Sequence, residues 1–534
     1  MEPAAVARIR SGIQSERSRC FITRWLFLRL LGIVYLIAFI SLWTQIHGLI
    51  GHNGVLPAAD YLKAAGEQLG LDRYWWLPTF CWLNPSDGFL HFQCAAGVLL
   101  SLLLVIGAAP VLDLVLLWAI YLSLSTVCRD FLGFQWDILL LETGFLAIFL
   151  APRRWLPKLS RETPPSVTVL WLCRWLLFRL MFMSGAVKLL SGDATWWNLT
   201  ALAVHYETQP LPTWIGWYAH QLPAWSQTAC CGILFVIELA APFLIFFGRC
   251  PRRIACAAFA LLMLLISLTG NYCFFNLLTG TLCVLLLDDE FLLRFAPASA
   301  AAFVRARLPS PGESGLQSPE DRRLPDALRA VGVGLLAAMI VLVSGLETAA
   351  RLFRVENLPR PALQLLRWVS PLRTVGSYGL FAVMTTTRLE IIVEGSNDGV
   401  HWLAYEFKWK PGDLKRRPSF VAPHQPRLDW QMWFEALRAL DRQRPSQWFV
   451  NVLARLLQGS SEVQALLEKN PFPDNPPRTI RAALYEYHFT DLAARRATGD
   501  WWRREPKGLY CPEISLRQNQ RPRNSTQQSG DKQD

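Results

Sequence analysis

Five ionisable side chains sit inside two neighbouring apolar stretches: Asp137 and Glu142 in FLGFQWDILLLETGFLAIFLA, then Arg174, Arg179 and Lys188 in TVLWLCRWLLFRLMFMSGAVKLL. Lipid cannot solvate a charge, so such residues face the interior of a helical bundle, pair with one another and mark function. Two roles are open to them: a polar cavity or partner site within the bundle, or pairs that only fix helix register. Downstream, His205-Tyr206-Glu207-Thr208-Gln209 places an imidazole two residues from a carboxylate, ahead of the helix-stopping Pro210 and Pro212. A His and a Glu so close can bind metal or act as acid and base; they can equally hydrogen-bond a loop closed over the bundle. Two ligands are too few to define a metal centre. No G-x-S-x-G elbow, H-E-x-x-H, C-x-x-C pair or phosphate-cradling loop occurs, and the eight histidines are scattered. No catalytic residue, metal or cofactor is therefore assigned.

Membrane helices must position these residues. A chain of 534 residues with 52% hydrophobic residues, 23 Trp and 30 Phe is too apolar for an ordinary soluble enzyme of its size. Nine stretches approach the roughly 18 apolar residues that cross a bilayer as a helix: 21–44, 89–108, 111–128, 131–151, 168–190, 226–247, 254–269, 272–293 and 326–347. The seventh is short and parted from the eighth only by Gly270 and Asn271, so a helical hairpin or re-entrant pair competes there. Rising about 1.5 Å per residue, Glu142 and Arg179 fall near the midplane and are expected to pair. Asp137 lies about 7 Å outward of Glu142, and Lys188 about 13 Å outward of Arg179, both toward the His205–Glu207 loop. Arg174 lies inward, within reach of the headgroups.

Loop charge orients the bundle. Seventeen Lys and Arg fall on the N-terminal side, against Lys63, Arg73 and Arg129 on the other. This predicts a cytoplasmic N-terminus, a retained first span and an extracytoplasmic end. The formal charge of +12 follows from that bias and is no nucleic-acid footprint. Both sequons, at Asn198 and Asn524, fall on the outer side as glycosylation candidates. Most of the 12 cysteines lie in or beside spans as packing residues, with Cys81 and Cys511 the outer pair able to bridge. The outer loop 191–225 holds no Lys or Arg, and its Trp196, Trp197, Trp214, Trp217, Tyr218 and Trp225 suit contact with membrane lipids.

The expected architecture is a polytopic α-helical membrane protein of about nine spans with a C-terminal extracytoplasmic domain, β-rich or α+β. Its parts are a basic N-terminus at 1–20, a bundle at 21–350 with outer loops 45–88 and 191–225, a soluble domain at 351–516 and a disordered polar tail at 517–534. Within the soluble part, 389–394 alternates like a half-buried strand, Asn397-Asp-Gly399 supplies a turn and 401–409 returns, suggesting a small β-sandwich. Helical patterns follow at 428–440 and 447–457, then an extended segment at 479–489. Arg427, Asp429, Trp430 and Trp433, with Trp501 and Trp502, mix aromatic and charged groups. That suits a client-binding surface or a domain resting its aromatics on the membrane or its own bundle.

FQWDILLLETGFLAIFLAP, RWLLFRLMFMSGAVKLLSGDATWWNLTAL, HYETQPLPT, GNYCFFNLLT followed by LLDD, and VAPHQPRLDWQMWF resemble, in that order, the lipase maturation factor family. The match runs over roughly residues 43–502. The resemblance implies a multi-pass protein of the endoplasmic reticulum membrane that helps dimeric secreted lipases, its clients, to fold and assemble. It implies no lipase activity. In a bacterial source the cell envelope membrane would replace the reticulum. The alternative is an intramembrane enzyme or lipid-handling protein using Lys188, Glu142 and His205, since the bundle also distantly resembles the membrane domain of vitamin K-dependent carboxylases.

Overall fold

The computed structural model describes residues 20–157, 162–308, 324–355, 358–441 and 443–516. The basic N-terminus, several inner-loop cations including Lys158 and Arg322, and the tail with Asn524 lie outside them.

In lipid a backbone must satisfy its own hydrogen bonds, so the apolar runs become helices. In chain order they are α1 (Phe21–Trp43), α2 (Asp87–Ile106), α3 (Pro110–Val127), α4 (Gln135–Leu150), α5 (Val167–Leu190), α6 (Ala201–Thr208), α7 (Trp214–His220), α8 (Ala224–Phe235), α9 (Arg249–Thr269), α10 (Phe275–Val284) and α11 (Leu324–Leu352). α8 continues through a π turn, Val236–Ala240, and a tightened stretch, Ala241–Phe246, where Pro242 withholds a backbone donor. Gly97 sets the approach of α1 to α2: a Cβ there would lie 2.4 Å from the Phe39 ring.

Seven of the described helices are long and apolar enough to cross a membrane: α1, α2, α3, α5, α8 with its continuation, α9 and α11. That is two fewer than the nine expected. α4 has 16 residues because the chain first closes a 3-10 turn over Arg129–Leu132, and α10 has 10 because the chain turns again before Asp289. At about 1.5 Å per residue they rise roughly 24 and 15 Å, short of the roughly 30 Å hydrocarbon layer. Both nonetheless lie between the same two faces of the bundle. Beside α4, Arg427 Nη1 donates to Phe131 O (2.8 Å) at the face carrying the C-terminal region, and Ala109 N donates to Trp155 O (2.6 Å) at the opposite face. Flanking α10, Asn271 Oδ1 accepts from Val421 N (2.7 Å) at the first face, and Asp289 Oδ1 from Thr23 N (3.0 Å) at the second.

The C-terminal region contains β1 (Arg388–Ser396), β2 (Leu403–Ala404), β3 (Glu406–Phe407), α12 (Arg427–Leu440), α13 (Gln447–Leu457), β4 (Leu467–Lys469), β5 (Thr479–Phe489) and β6 (Trp502–Ser515). Four strands form an antiparallel sheet in the order β2-β1-β5-β6, with Arg388 opposite Tyr487 and Ser396 opposite Thr479; β3 and β4 form a separate ribbon. The arrangement is α+β rather than a sandwich, because the ribbon is too short to cover a sheet and α12 packs on β1 instead. The main core runs from Leu28 and Leu31 of α1 through Leu139 and Leu140 of α4 to Val393, Trp430 and Phe449, with two smaller clusters around Trp196 and Trp217. The C-terminal region thus packs directly on the bundle. Cys81 and Cys511 are both buried and unbridged.

Candidate functional site at the junction of bundle and C-terminal region

Arg427 opens α12 and Asp137 lies in the first turn of α4, so each helix start delivers one charge to the junction. Arg427 Nη1 and Nη2 donate to Asp137 Oδ2 (2.7 Å) and Oδ1 (2.9 Å), and the Tyr121 hydroxyl donates to Oδ1 (2.6 Å). Both charged side chains are wholly buried. A planar guanidinium matching both carboxylate oxygens is the strongest form of such a pair. Asp137 therefore engages the C-terminal region, not the His205–Glu207 loop toward which its depth points.

Glu142 of α4 meets Arg179 of α5, both buried. Arg179 Nη2 donates to Glu142 Oε1 and Nη1 to Gly376 O (2.9 Å), while Glu142 Oε2 accepts from Gly376 N (2.7 Å) and the Tyr378 hydroxyl (2.6 Å). The pair's remaining hydrogen-bonding capacity fastens the chain that follows α11. Only glycine fits at 376, where a Cβ would lie 2.6 Å from Tyr378 Oη and 2.7 Å from Ile138 Cγ2.

Lys188 is held by Glu238, a residue the sequence reading passed over: its Nζ donates to Oε1 (2.8 Å) and Oε2 (2.7 Å), with the Trp196 ring centre 5.2 Å away. Glu238 meets the same test as the five residues first singled out, an ionisable group inside an apolar run. Arg174 lies nearer the other end of α5. It is buried, with Nε donating to Leu285 O (3.1 Å) and its guanidinium 5.0 Å from the centre of the Trp171 ring.

Loop 191–225 is clamped by the C-terminal region. Glu207 Oε2 accepts from Phe489 N (2.6 Å) and Oε1 lies 3.1 Å from His488 Nδ1, both on β5. Arg388 of β1 donates to the carbonyls of Glu207 (2.7 Å), Gln209 and Pro210 (3.0 Å), and Nη2 also reaches Glu390 (2.7 Å). The Tyr272 hydroxyl bridges Gln209 Oε1 (3.0 Å) and His205 Nε2 (3.1 Å). Burial, with Lys188 adding to it, lowers the His205 imidazole to about 4. Tyr206 packs beside Leu202 and Cys231. With these partners His205 and Glu207 act as fasteners, and among the described residues no group of three or more His, Cys, Asp or Glu could hold a metal ion.

The six residues read as a mixed aromatic and charged surface are all buried. Trp430 stands edge-on to Trp136 (4.9 Å) and Tyr272 (6.0 Å), Trp433 Nε1 donates to Thr208 O (2.8 Å), and Asp429 Oδ1 accepts from Trp409 N (2.8 Å) and Lys410 N (2.9 Å). Trp501 packs on Trp217 of α7 (5.2 Å), and Trp502 on Phe489 (4.4 Å). Arg427, Trp430, Trp433, Trp501 and Trp502 lie along the seam between region and bundle, the last of the three placements the sequence allowed, whereas Asp429 is tied within the C-terminal region. Asn198 is exposed at the same face.

Beside the seam an open cleft of about 450 Å³ lies between α12, α13 and the turn before α4, lined among others by Arg129, Phe434, Arg438, Gln447 and Trp448. Glu435 at the cleft accepts from Ser446 N (2.8 Å), Ser446 Oγ (2.6 Å) and the Tyr510 hydroxyl (2.7 Å), so its carboxylate is taken up internally.

A helical bundle with intramembrane ion pairs, capped by an α+β region fastened to it, defines a multi-pass membrane protein. Residues 22–294 match the lipase maturation factor transmembrane domain, and residues 374–512 match the lipase maturation factor C-terminal domain. The chain belongs to the lipase maturation factor family. It is 38% identical to lipase maturation factor 2 of Gallus gallus, over 92% of this chain and 81% of that protein. Identity to the Homo sapiens lipase maturation factor 2 is 37%, over 92% and 82%. To lipase maturation factor 1 of Bos taurus it is 34%, over 95% and 91%. No solved structure matches.

Proposed function

We propose that this chain is a non-enzymatic maturation factor for lipases, holding an immature client on the face that carries its C-terminal region. The observation that carries this reading is that transmembrane and C-terminal matches occur together in one chain, alongside relatives named for lipase maturation. The cleft supports it, since Arg129, Arg438 and Trp448 among its lining are of types enriched at recognition hot spots. On this reading Arg427, Trp430, Trp433, Trp501 and Trp502 serve the client indirectly, as the seam that holds the recognition face, and Asp429 by holding the backbone at Trp409 and Lys410. The setting we propose is the endoplasmic reticulum membrane, with the N-terminus cytoplasmic and the C-terminal region lumenal. An endoglycosidase-sensitive mobility shift lost in Asn198→Gln is the expected sign of that orientation.

The decisive experiment expresses a secreted dimeric lipase in cells lacking endogenous maturation factors, with and without this protein. Active lipase in the medium only when the protein is present is the expected result; equal activity in both cells overturns the proposal. Arg438→Ala with Gln447→Ala, both lining the cleft and neither buried, should weaken client co-purification while leaving the protein's abundance unchanged. Lys188→Ala with Glu238→Ala should retain client rescue, because the pair is self-contained; small-molecule turnover lost in that variant while client binding persists would favour an enzyme.

A further inference from the structure

We propose that residues 58–83, 353–355 and 358–372 form a collar that dips into the headgroup region of the leaflet on the side of the C-terminal region, with the lipid itself as its occupant. Helix Arg360–Val369 has no buried residue. Its polar residues, Arg360, Gln364 and Arg367, share one narrow face and leave the rest of the surface apolar, the pattern of a helix that lies in a membrane interface. Trp368 is 56% exposed and stacks on Trp75 (5.0 Å, 24°), tying this helix to the short helix Arg73–Trp76. On the same segments Leu71 is 82%, Leu83 81%, Phe353 76% and Tyr74 54% exposed. So many large apolar side chains together in water mark a surface that something covers.

The anchoring bonds set the depth of both segments. Ser123 Oγ bonds Thr79 Oγ1 (2.9 Å) and Phe80 N (2.9 Å), Thr126 Oγ1 donates to Pro78 O (3.2 Å), and Arg373 Nη1 donates to Ser125 Oγ. Ser123–Thr126 belongs to the last turns of α3, a helix long and apolar enough to span. Both segments therefore meet the bundle level with the ends of its spans, where hydrocarbon gives way to headgroups. Leu83 leads within four residues into α2, and Phe353 directly follows α11, so the collar continues the lipid-facing surface of two spans. Trp and Tyr prefer that half-wet depth, and exposed Arg360 and Arg367 lie where lipid phosphates can accept from them. Those features commit the surface to lipid rather than to a protein partner.

The test reconstitutes the full chain in phosphatidylcholine nanodiscs carrying a diazirine next to the headgroup, irradiates them and maps lipid adducts by mass spectrometry. Adducts on peptides covering 71–83 and 360–369 are expected, in addition to those on the spans. Leu71→Asp with Leu363→Asp should lower labelling of both segments several-fold while α9 labels as before, and neither side chain is buried. Adducts confined to the spans overturn the proposal. So does crosslinking of these segments in native membranes to a protein instead of lipid.

Discussion

At the Asp137–Arg427 fork both ions have given up water, and only their mutual geometry returns what that costs. Removing one partner strands the other, which is far more damaging than losing the pair. Arg427→Met should cost about 3–5 kcal/mol and lower the detergent-solubilised melting midpoint, and Asp137→Asn added to it should recover part of the loss. No recovery would mean that the fork does not couple the two residues. Trp430→Ala should likewise cost about 3–5 kcal/mol, by emptying the space beside Trp136 and Tyr272. Its abundance and its client yield should fall together; client yield falling alone would place Trp430 in recognition. Residue type and depth were enough to anticipate the contact of Glu142 with Arg179. They were not enough for Asp137, because its partner lies 290 positions away, outside the spans, where depth counting has no purchase.

One element that joins the two halves is loop 191–225 with α6 and α7, and histidines along the seam titrate. Burial lowers His205 to about 4, and burial with the nearby Arg427 and Lys408 charges lowers His424 to about 4. His424 Nδ1 lies 3.0 Å from Ser41 Oγ of α1, so it too sits on the seam. An ordinary unfolded histidine titrates near 6.5, so between about 6.5 and 4 the unfolded chain binds more protons than the folded one. Stability should be insensitive to these histidines above about pH 6.5 and fall as pH drops through that window. Melting midpoints measured from neutral to acidic pH check this, and His205→Gln with His424→Gln should shrink the slope. Local pattern made several elements legible: α13, from Gln447 to Leu457, and β5, from Thr479 to Phe489, stand where periodicity places them. β1 was legible as a strand but not in its burial. Its alternation reads as half-buried, yet Glu390 can face the interior because Arg388 (2.7 Å) and Lys410 (2.8 Å) neutralise it there. α4 and α10 read as full spans because apolar composition extends past the points where their backbones turn.

On the scale of the whole molecule, the main core and several polar clamps cross what the sequence presents as a domain boundary. From 351 onward polarity rises and strands begin, which is how a detached soluble domain reads. The side chains that make the boundary disappear are polar or amphipathic: Arg427 in the bundle, Arg388 on the loop carbonyls, Asn271 on Val421 and Ala422, and Trp433 on Thr208. Their partners are far away in sequence, so no local window could reveal them. Without the bundle, Arg427 and Glu390 would keep a costly burial or open the region to water, and the Trp430 face would lose its covering. Residues 358–516 expressed alone should therefore aggregate or melt without cooperativity. Co-expression with residues 1–357 as a separate chain should recover a complex that survives mild detergent. A soluble, cooperatively melting monomer of 358–516 would show that the region carries its own stability, and that the seam holds it in place without completing its fold.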